Sequence, residues 1–160
     1  MLRKLKIFLE TSAISSLEQP NVPQREVDMR ELWELLKNEV YDVVISPPVI
    51  DELKDTTDLA KRELLFQYIN QIKFETIEIT KEMHTIARTI IENGIIPENK
   101  YFDALHIACA IATKCDCIVS YNFRHINKIT TIQGAQEISI KLGHGNINIV
   151  EAKPLLIGGI

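Results

Sequence analysis

The stretch "NKYFDALHIACAIATKCDCIVSYNF", residues 99–123, carries the clearest structural pattern in the chain. Almost every position over 102–112 is apolar, which predicts a buried helix over about 99–114, and "CIVS" at 117–120 predicts a buried strand directly after it. Asp103 interrupts the apolar run near its start. A carboxylate in the first turn of a helix is favoured by the helix dipole, and an apolar wall tolerates it when it binds a cation. The stretch therefore raises the question of what Asp103 lies near.

Outside this stretch, short apolar runs alternate with amphipathic segments. This alternation is typical of a parallel sheet with helices on both faces. The sequence therefore predicts a three-layer α/β/α fold with a central, mostly parallel sheet, and we expect a single domain over residues 1–160. Thr80 is suited to cap one helix and Gly94 to end it. The predicted strands are 5–10, 41–48 (ended by two prolines), 74–79, 117–120 and 147–150, and the predicted helices are 24–39, 49–55, 58–72, 81–94, 99–114 and 132–143.

Composition excludes several classes of protein. The formal net charge of −4 and the isoelectric point of about 5.6 argue against a strongly basic nucleic-acid coat, although a local basic rim is compatible with them. Cys109, Cys115 and Cys117 are too few for a typical zinc site and are expected to be buried free thiols. No apolar run approaches the roughly 20 residues of a membrane span, and no signal peptide is evident. These features indicate a soluble cytoplasmic protein.

Four oxygen-bearing side chains fall where the predicted strands end. Glu10 closes the first strand, Glu52 follows the second, and Asn122 follows the strand at 117–120. The helix that begins near Asp103 runs antiparallel to that strand, so its start reaches the same edge of the sheet, where such folds bind ligands. Oxygen ligands suit Mg²⁺ or Mn²⁺. The residues alone also allow a structural alternative, in which Asp103 caps its helix, Glu10 lies on the surface and Glu52 lies on a solvated face.

Four segments together resemble the PIN domain family, specifically its VapC-like toxin branch. The resemblance covers roughly residues 5–150, and its most specific part is "DALHIA" followed at the right distance by "DCIVSYNF". The four segments are "IFLETSAISSL" at 7–17, "ISPPVIDELKD" at 45–55, "GIIPENKYFDALHIACAIATKCDCIVSYNFRHI" at 94–126 and "INIV" at 147–150.

The resemblance implies a parallel sheet between helices and a ribonuclease that depends on Mg²⁺ or Mn²⁺. It also implies a toxin, often dimeric, that a small cognate antitoxin protein inhibits. Two positions depart from the family pattern. The first acid is usually Asp and here is Glu10, which reaches one methylene further, and the fourth position is often acidic and here is Asn122, which keeps an oxygen but carries no charge. The family's catalytic and metal-binding residues map here onto Glu10, Glu52, Asp103 and Asn122, with Thr11 or Ser12 in support.

Basic residues near these positions are candidates for contact with a phosphate. Arg124 and His125 follow Asn122 directly, and Lys100 and Lys54 flank the acids in sequence. Each is equally compatible with an ordinary solvated surface. His106 lies one helical turn after Asp103, and we expect it to make a structural hydrogen bond rather than act as a base.

The sequence supports one leading function and two alternatives. The leading one is a metal-dependent endoribonuclease, the toxin of a toxin–antitoxin pair, with RNA as substrate and with an antitoxin and a second copy of the chain as partners. The alternatives are a catalytically weak PIN-fold module that binds RNA or a protein, and a small metal-dependent phosphohydrolase. Trp33, Leu32 and Leu36 are expected in the core, with a dimer or antitoxin surface as the alternative.

Overall fold

The fold is a five-stranded parallel sheet covered by helices. The computed structural model describes residues 3–156. The strand order is β3-β2-β1-β4-β5, and all four pairings are parallel. The strands are β1 (Lys6–Leu9), β2 (Asp42–Ile45), β3 (Glu75–Thr76), β4 (Cys117–Val119) and β5 (Asn148–Val150). The α-helices are α1 (Thr11–Ser15), α2 (Pro23–Lys37), α3 (Pro47–Lys54), α4 (Leu59–Ile69), α5 (Lys81–Glu92), α6 (Tyr101–Ala112) and α7 (Ile129–Lys141), and short 3₁₀ turns cover Ser16–Glu18, Glu98–Lys100 and Lys153–Leu155. The predicted three-layer α/β/α architecture is confirmed.

Strand β1 lies at the centre of the sheet, and the order of the strands reverses beside it. Its register pairs Phe8 with Val44 of β2 on one side and Leu9 with Val119 of β4 on the other. The last three residues of β1 and all of β4 are buried, as expected for the middle of a sheet covered on both faces. In open parallel sheets, ligands bind beyond the carboxyl ends of the strands at this reversal point. The residues that follow β1, β2 and β4 therefore converge on one edge.

Two predicted strands, 41–48 and 74–79, are four residues shorter in the structure, whereas the other three lose only one or two residues. Strand β2 ends at Ile45 because Ser46 caps helix α3, accepting a hydrogen bond from the Val49 amide at 3.4 Å. The two prolines occupy the first helical turn, where a missing amide hydrogen is tolerated. Strand β3 is confined to Glu75–Thr76, because its only partner in the described part of the chain is the end of β2.

Helix α5 begins and ends where the sequence predicts. The Thr80 hydroxyl accepts a hydrogen bond from the Met83 amide at 3.2 Å, which caps the helix. Gly94 adopts a φ of +71°, a left-handed conformation that glycine reaches without a steric penalty. The local signals at both ends of this helix were therefore sufficient to place it.

The packing of helix α2 confirms that its large apolar side chains belong to the core and contradicts the alternative that they form a surface for a partner. Trp33 is 1% exposed, and its indole nitrogen donates a hydrogen bond to the Tyr68 carbonyl at 2.9 Å. Leu32 and Leu36 are also buried. A dimer or antitoxin surface built on these three side chains is therefore wrong, because helix α2 turns this face inward against α4.

The three cysteines are buried free thiols, as predicted. Burial raises the pKa of the Cys109 and Cys117 thiols to about 12 and that of Cys115 to about 11, so all three stay protonated at neutral pH. None of the helices between residues 3 and 156 combines the length and the apolar character needed to cross a membrane.

Candidate functional site

Glu10 follows β1 directly and caps helix α1 from a buried position. It is 4% exposed, so the alternative that places it on the surface is wrong. Its Oε1 atom accepts hydrogen bonds from the Ser12 amide at 3.1 Å, from the Ser12 hydroxyl and from the Ser120 hydroxyl at 2.8 Å. The parallel register of β1 and β4 brings Ser120 beside Glu10. Three donors, one from the backbone and two from side chains, thus fix this carboxylate.

Burial raises the pKa of the Glu10 carboxyl above its ordinary value. The hydrogen bonds from Ser12 and Ser120 and the charge of His106 act in the opposite direction without cancelling the effect of burial. The ionised form is therefore unfavourable until a positive charge comes close. A bound cation is the simplest source of that charge.

Glu52 lies on α3 and faces Glu10. Its Oε1 atom accepts hydrogen bonds from the Thr11 hydroxyl and from Nε2 of His106, the latter at 2.8 Å. Burial raises the pKa of the Glu52 carboxyl. The hydrogen bond from His106, the charge of His106 and the hydrogen bond from Thr11 all lower it. Together they outweigh the effect of burial, so the pKa lies below its ordinary value. Glu52 therefore ionises more readily than Glu10.

Glu10, Glu52 and His106 form a compact cluster. Each offers one ligand atom, and these atoms all lie within 4.8 Å of one another. His106 is fully buried on α6 and makes the hydrogen bond that the sequence suggested, but its partner is a candidate catalytic acid. No local sequence signal points to this partner, because His106 and Glu52 lie 54 positions apart in the chain.

An open cleft lies in front of this cluster. Its volume is about 420 Å³, and most of the polar residues singled out in the sequence line it. Glu10 is not among the lining residues. Lys54 lines a different depression, beside Phe74 and Ile77, and is not among the residues that line the cleft, so its contact with a substrate stays a prediction. Two positions along a helix separate it from Glu52, and residues at that spacing do not share a face. The predicted residues that line the cleft are Glu52, Asp103, Asn122, Lys100, Arg124 and His125.

Asp103 is half-buried in the first turn of α6. Burial raises the pKa of its carboxyl, and the charge of Glu52 adds to this, whereas the charges of His106, His125 and Lys100 lower it. The pKa remains above its ordinary value. Asp103 thus sits between an acid and several bases, as expected for a carboxylate prepared to share a cation.

Asn122 and Ser120 are held by the loop after β4. The Asn122 side-chain oxygen accepts a hydrogen bond from the backbone amide of His125 at 3.0 Å, and the backbone amide of Asn122 donates to the Ser120 hydroxyl at 3.0 Å. Ser120 was not singled out in the sequence, yet it joins Asn122 to Glu10. A hydroxyl one residue past a buried strand that neighbours β1 is the signal that could have found it.

The comparisons with known proteins agree with this fold. The PIN domain family model matches residues 7–130. The chain belongs to the PIN domain family. No curated protein matches it. Among solved structures, this PIN domain is similar to a chain of the VapBC2 complex from Rickettsia felis, described as bound to a DNA fragment from their promoter. That likeness has a TM-score of 0.55 and 15% sequence identity, and it covers 91% of this chain and 98% of that chain. At this identity it supports the fold alone.

The donor atoms of the PIN site fit a hard divalent cation. Two carboxylates with ligand atoms within 4.8 Å of each other repel, and one of them, Glu10, is disfavoured in its ionised form by burial. One oxygen of each carboxylate is fixed by hydroxyl, amide or imidazole donors, which orients the group as outer-shell partners of metal ligands do. Oxygen donors of this kind suit Mg²⁺ or Mn²⁺.

Proposed function

We propose that the protein is a metal-dependent endoribonuclease, the toxin of a toxin–antitoxin pair, that acts as a single domain. The observation that carries the proposal is the pair of buried Glu10 and partly buried Glu52 at the reversal point of the sheet, the latter lining a cleft with cationic side chains. PIN domains are generally nucleases, and this pair occupies the place where such a fold binds its ligand. A phosphodiester that enters the cleft meets positive charge at the rim and carboxylates within.

The proposed roles divide between holding a cation and holding the substrate. Glu10 would hold Mg²⁺ or Mn²⁺ from the interior, and Glu52, Asp103 and Asn122 from the cleft. Such an ion lowers the pKa of water and stabilises charge on a phosphate.

The other side chains orient these groups. Ser12 keeps Glu10 in place, and Thr11 keeps Glu52 in place. Lys100, Arg124 and His125 lie where the negative charge of an RNA backbone would pass, and attraction of this type dominates nonspecific affinity for nucleic acids. The proposed reaction is hydrolysis of an RNA phosphodiester bond.

The proposed partners are a small cognate antitoxin and a second copy of the chain, and the proposed location is the cytoplasm, where the RNA substrate is. The antitoxin partner is proposed by analogy with that VapBC complex, a chain of which shares this fold. The antitoxin would inhibit by covering the cleft or by filling it.

The test is a cleavage assay with a panel of RNAs, titrated with Mn²⁺ and with Mg²⁺. We expect cleavage that requires the metal and that disappears in the variant Asp103→Asn, while the thermal melt of the variant stays cooperative. A matched control is Asp51→Asn, because Asp51 is on the same helix as Glu52 but lines a different depression, and this variant should cleave normally. Cleavage by Asp103→Asn at the wild-type rate would contradict the proposal.

A second candidate function is a PIN-fold module that binds RNA or protein with weak or no catalysis. One observation favours it: the side-chain oxygen of Asn122 already accepts a hydrogen bond from the His125 amide, which leaves it less free as a ligand. Calorimetric titration with Mn²⁺ separates the two functions, because the binding module requires no metal and its affinity for RNA does not change when the cation is added.

A further inference from the structure

The two glutamates of the cluster use their carboxylate oxygens unequally. Oε1 of Glu10 accepts three hydrogen bonds, and Oε1 of Glu52 accepts two. Between residues 3 and 156, no group donates a hydrogen bond to Oε2 of either residue. Each carboxylate therefore has one oxygen that protein donors occupy and one that is available to a cation.

His106 holds Oε1 of Glu52 from the interior of the protein. The His106 side chain is fully buried, whereas the Glu52 side chain is 38% exposed. The Phe8 ring of β1 lies beside the imidazole, with ring centroids 6.3 Å apart. The cleft is lined by Glu52 and not by His106, so a cation or phosphate that enters it meets the carboxylate first. His106 can therefore act on the reaction only through Glu52.

The second ring nitrogen of His106 shows that the contact with Glu52 is specific. Nδ1 is buried, and within the described range it forms no hydrogen bond. Burial of an unpaired polar atom destabilises a fold, so an apolar side chain would fill this position in the core at a lower cost. The hydrogen bond from Nε2 to Glu52, at 2.8 Å, is what an apolar side chain could not supply.

We infer that His106 is a positioning residue that confines cation binding by Glu52 to Oε2, so that the site selects small octahedral ions over Ca²⁺. The inference rests on the proposed function, because it concerns the cation of the proposed nuclease. Mg²⁺ requires near-ideal octahedral geometry, whereas Ca²⁺ takes about six to eight oxygens and accepts both oxygens of one carboxylate. Mn²⁺ suits the same oxygen ligands as Mg²⁺. While His106 and Thr11 occupy Oε1, Glu52 cannot offer both oxygens to Ca²⁺.

The first experiment measures the affinities for Mn²⁺ and for Ca²⁺ by calorimetric titration without RNA. His106→Leu removes the buried donor, and we expect the affinity for Mn²⁺ to fall by about 10- to 100-fold. The affinity for Ca²⁺ should change little, because the freed Oε1 can join Oε2 on the larger ion. The preference for Mn²⁺ over Ca²⁺ should therefore fall by about tenfold or more. His106→Gln keeps a donor of similar reach and should restore most of this preference.

Two further variants separate positioning from a purely structural role. Thr11→Val removes the other donor to Oε1 of Glu52 and leaves the buried imidazole in place, so it should lower the preference in the same direction. His144→Leu is the matched control. Nδ1 of His144 is also buried without a partner in the described range, and Nε2 lies 3.8 Å from the Glu82 carboxylate, but His144 lines no part of the cleft. It should leave the preference unchanged, even where it destabilises the fold.

Electron paramagnetic resonance of bound Mn²⁺ tests whether His106 is itself a ligand. A directly bound imidazole nitrogen couples to the electron spin of Mn²⁺, and a nitrogen held behind the carboxylate does not couple measurably. We expect no such coupling in the wild type. A nitrogen coupling that disappears in His106→Gln would overturn the inference. An unchanged preference in both His106→Leu and Thr11→Val, or a wild type that binds neither ion, would also overturn it.

Failure of the proposed function gives a different result. A protein whose preference for Mn²⁺ depends on His106 and Thr11, but which never cleaves RNA with Mn²⁺ or with Mg²⁺, contradicts the nuclease proposal and supports the positioning inference. A protein that cleaves RNA, but whose preference is the same in the wild type and in these variants, does the reverse.

Discussion

Replacing Glu10 by Gln tests whether the buried carboxylate exists to hold a cation. The substitution keeps the length and shape of the side chain, and its amide oxygen can still accept from Ser12 and Ser120. What it removes is the negative charge. We therefore expect a protein that is more stable than the wild type without metal and less stable than the wild type with metal.

The magnitude follows from two opposing contributions. Hydrogen bonds to a charged acceptor stabilise more than those to a neutral one by about 1 kcal/mol each, and Oε1 of Glu10 accepts three. Burial of the charge costs several kcal/mol. The raised pKa of Glu10 shows that burial is the larger contribution. The difference between the two is on the order of 1 kcal/mol in favour of the variant, or about 2–4 °C in Tm for a domain of this size.

A bound metal ion should reverse the order of stability of the wild type and the Gln variant. A cation at 100 times its Kd stabilises the folded wild type by about 2.7 kcal/mol, which corresponds to a rise of about 5–10 °C in Tm. Without one of its carboxylates the Gln variant should gain much less. The assay is thermal unfolding followed by circular dichroism, for both proteins, in EDTA and across a titration of Mn²⁺.

The pH dependence of the metal-free difference provides a second check. A carboxyl whose pKa is raised in the folded state binds more protons folded than unfolded, so its effect on stability becomes more unfavourable as pH rises. The variant and the wild type should therefore be equally stable below the ordinary pKa of glutamate, about 4.3, and should diverge above it. A variant that is less stable than the wild type in EDTA at pH 7 would refute the argument from burial. An equal rise in Tm with Mn²⁺ in both proteins would show that Glu10 is not a metal ligand.

The remaining predictions concern four other changes or measurements. Asp103→Asn should abolish metal-dependent RNA cleavage and leave the free energy of unfolding unchanged or slightly higher, because burial and the charge of Glu52 already disfavour its carboxylate; unchanged cleavage, measured beside a urea melt, would exclude it from the mechanism. Ser120→Ala should weaken Mn²⁺ binding by about tenfold in a calorimetric titration, as loss of an outer-shell partner does, and unaltered affinity would make Ser120 a purely structural residue. Trp33→Ala should lower the free energy of unfolding by about 3–5 kcal/mol in urea, since the ring is fully buried and hydrogen-bonded; a loss below 1 kcal/mol would contradict its place in the core. We also expect self-association, through apolar side chains other than Trp33, and a monomer by light scattering at micromolar concentration would contradict it.

The sequence was sufficient to predict the fold and the edge of the sheet that carries the site. The apolar run in α6 and the short apolar strand after it left few alternatives to a buried helix feeding a parallel strand. Once the sheet was parallel, the residues after β1, β2 and β4 had to share an edge. Chain order and hydrophobic pattern carry this information, so Glu52, Asp103 and Asn122 were found from them.

What the sequence did not predict depends on the rotation of helices and the directions of side chains. Lys54 is close to Glu52 in sequence but points into another depression, and a half-turn of α3 decides this. The hydrogen bond between His106 and Glu52 joins residues 54 positions apart, and no local pattern specifies it. The sequence favoured the core for Trp33, but only the position of α4 excludes the surface alternative.

The departure at position 10 is best understood together with the hydroxyls around it. Leu9 and Val119 are paired in the sheet, so the next residue of each strand, Glu10 and Ser120, meet just beyond the edge. An aspartate at this position would end its side chain roughly 1.5 Å short of the present carboxyl carbon. The longer arm of Glu10 lets one oxygen be held by the hydroxyls of Ser12 and Ser120 while the carboxylate stays within 4.8 Å of the ligand atoms on the other two members of its cluster. Glu10 is therefore fitted to its surroundings, and its presence does not by itself indicate that the site has decayed.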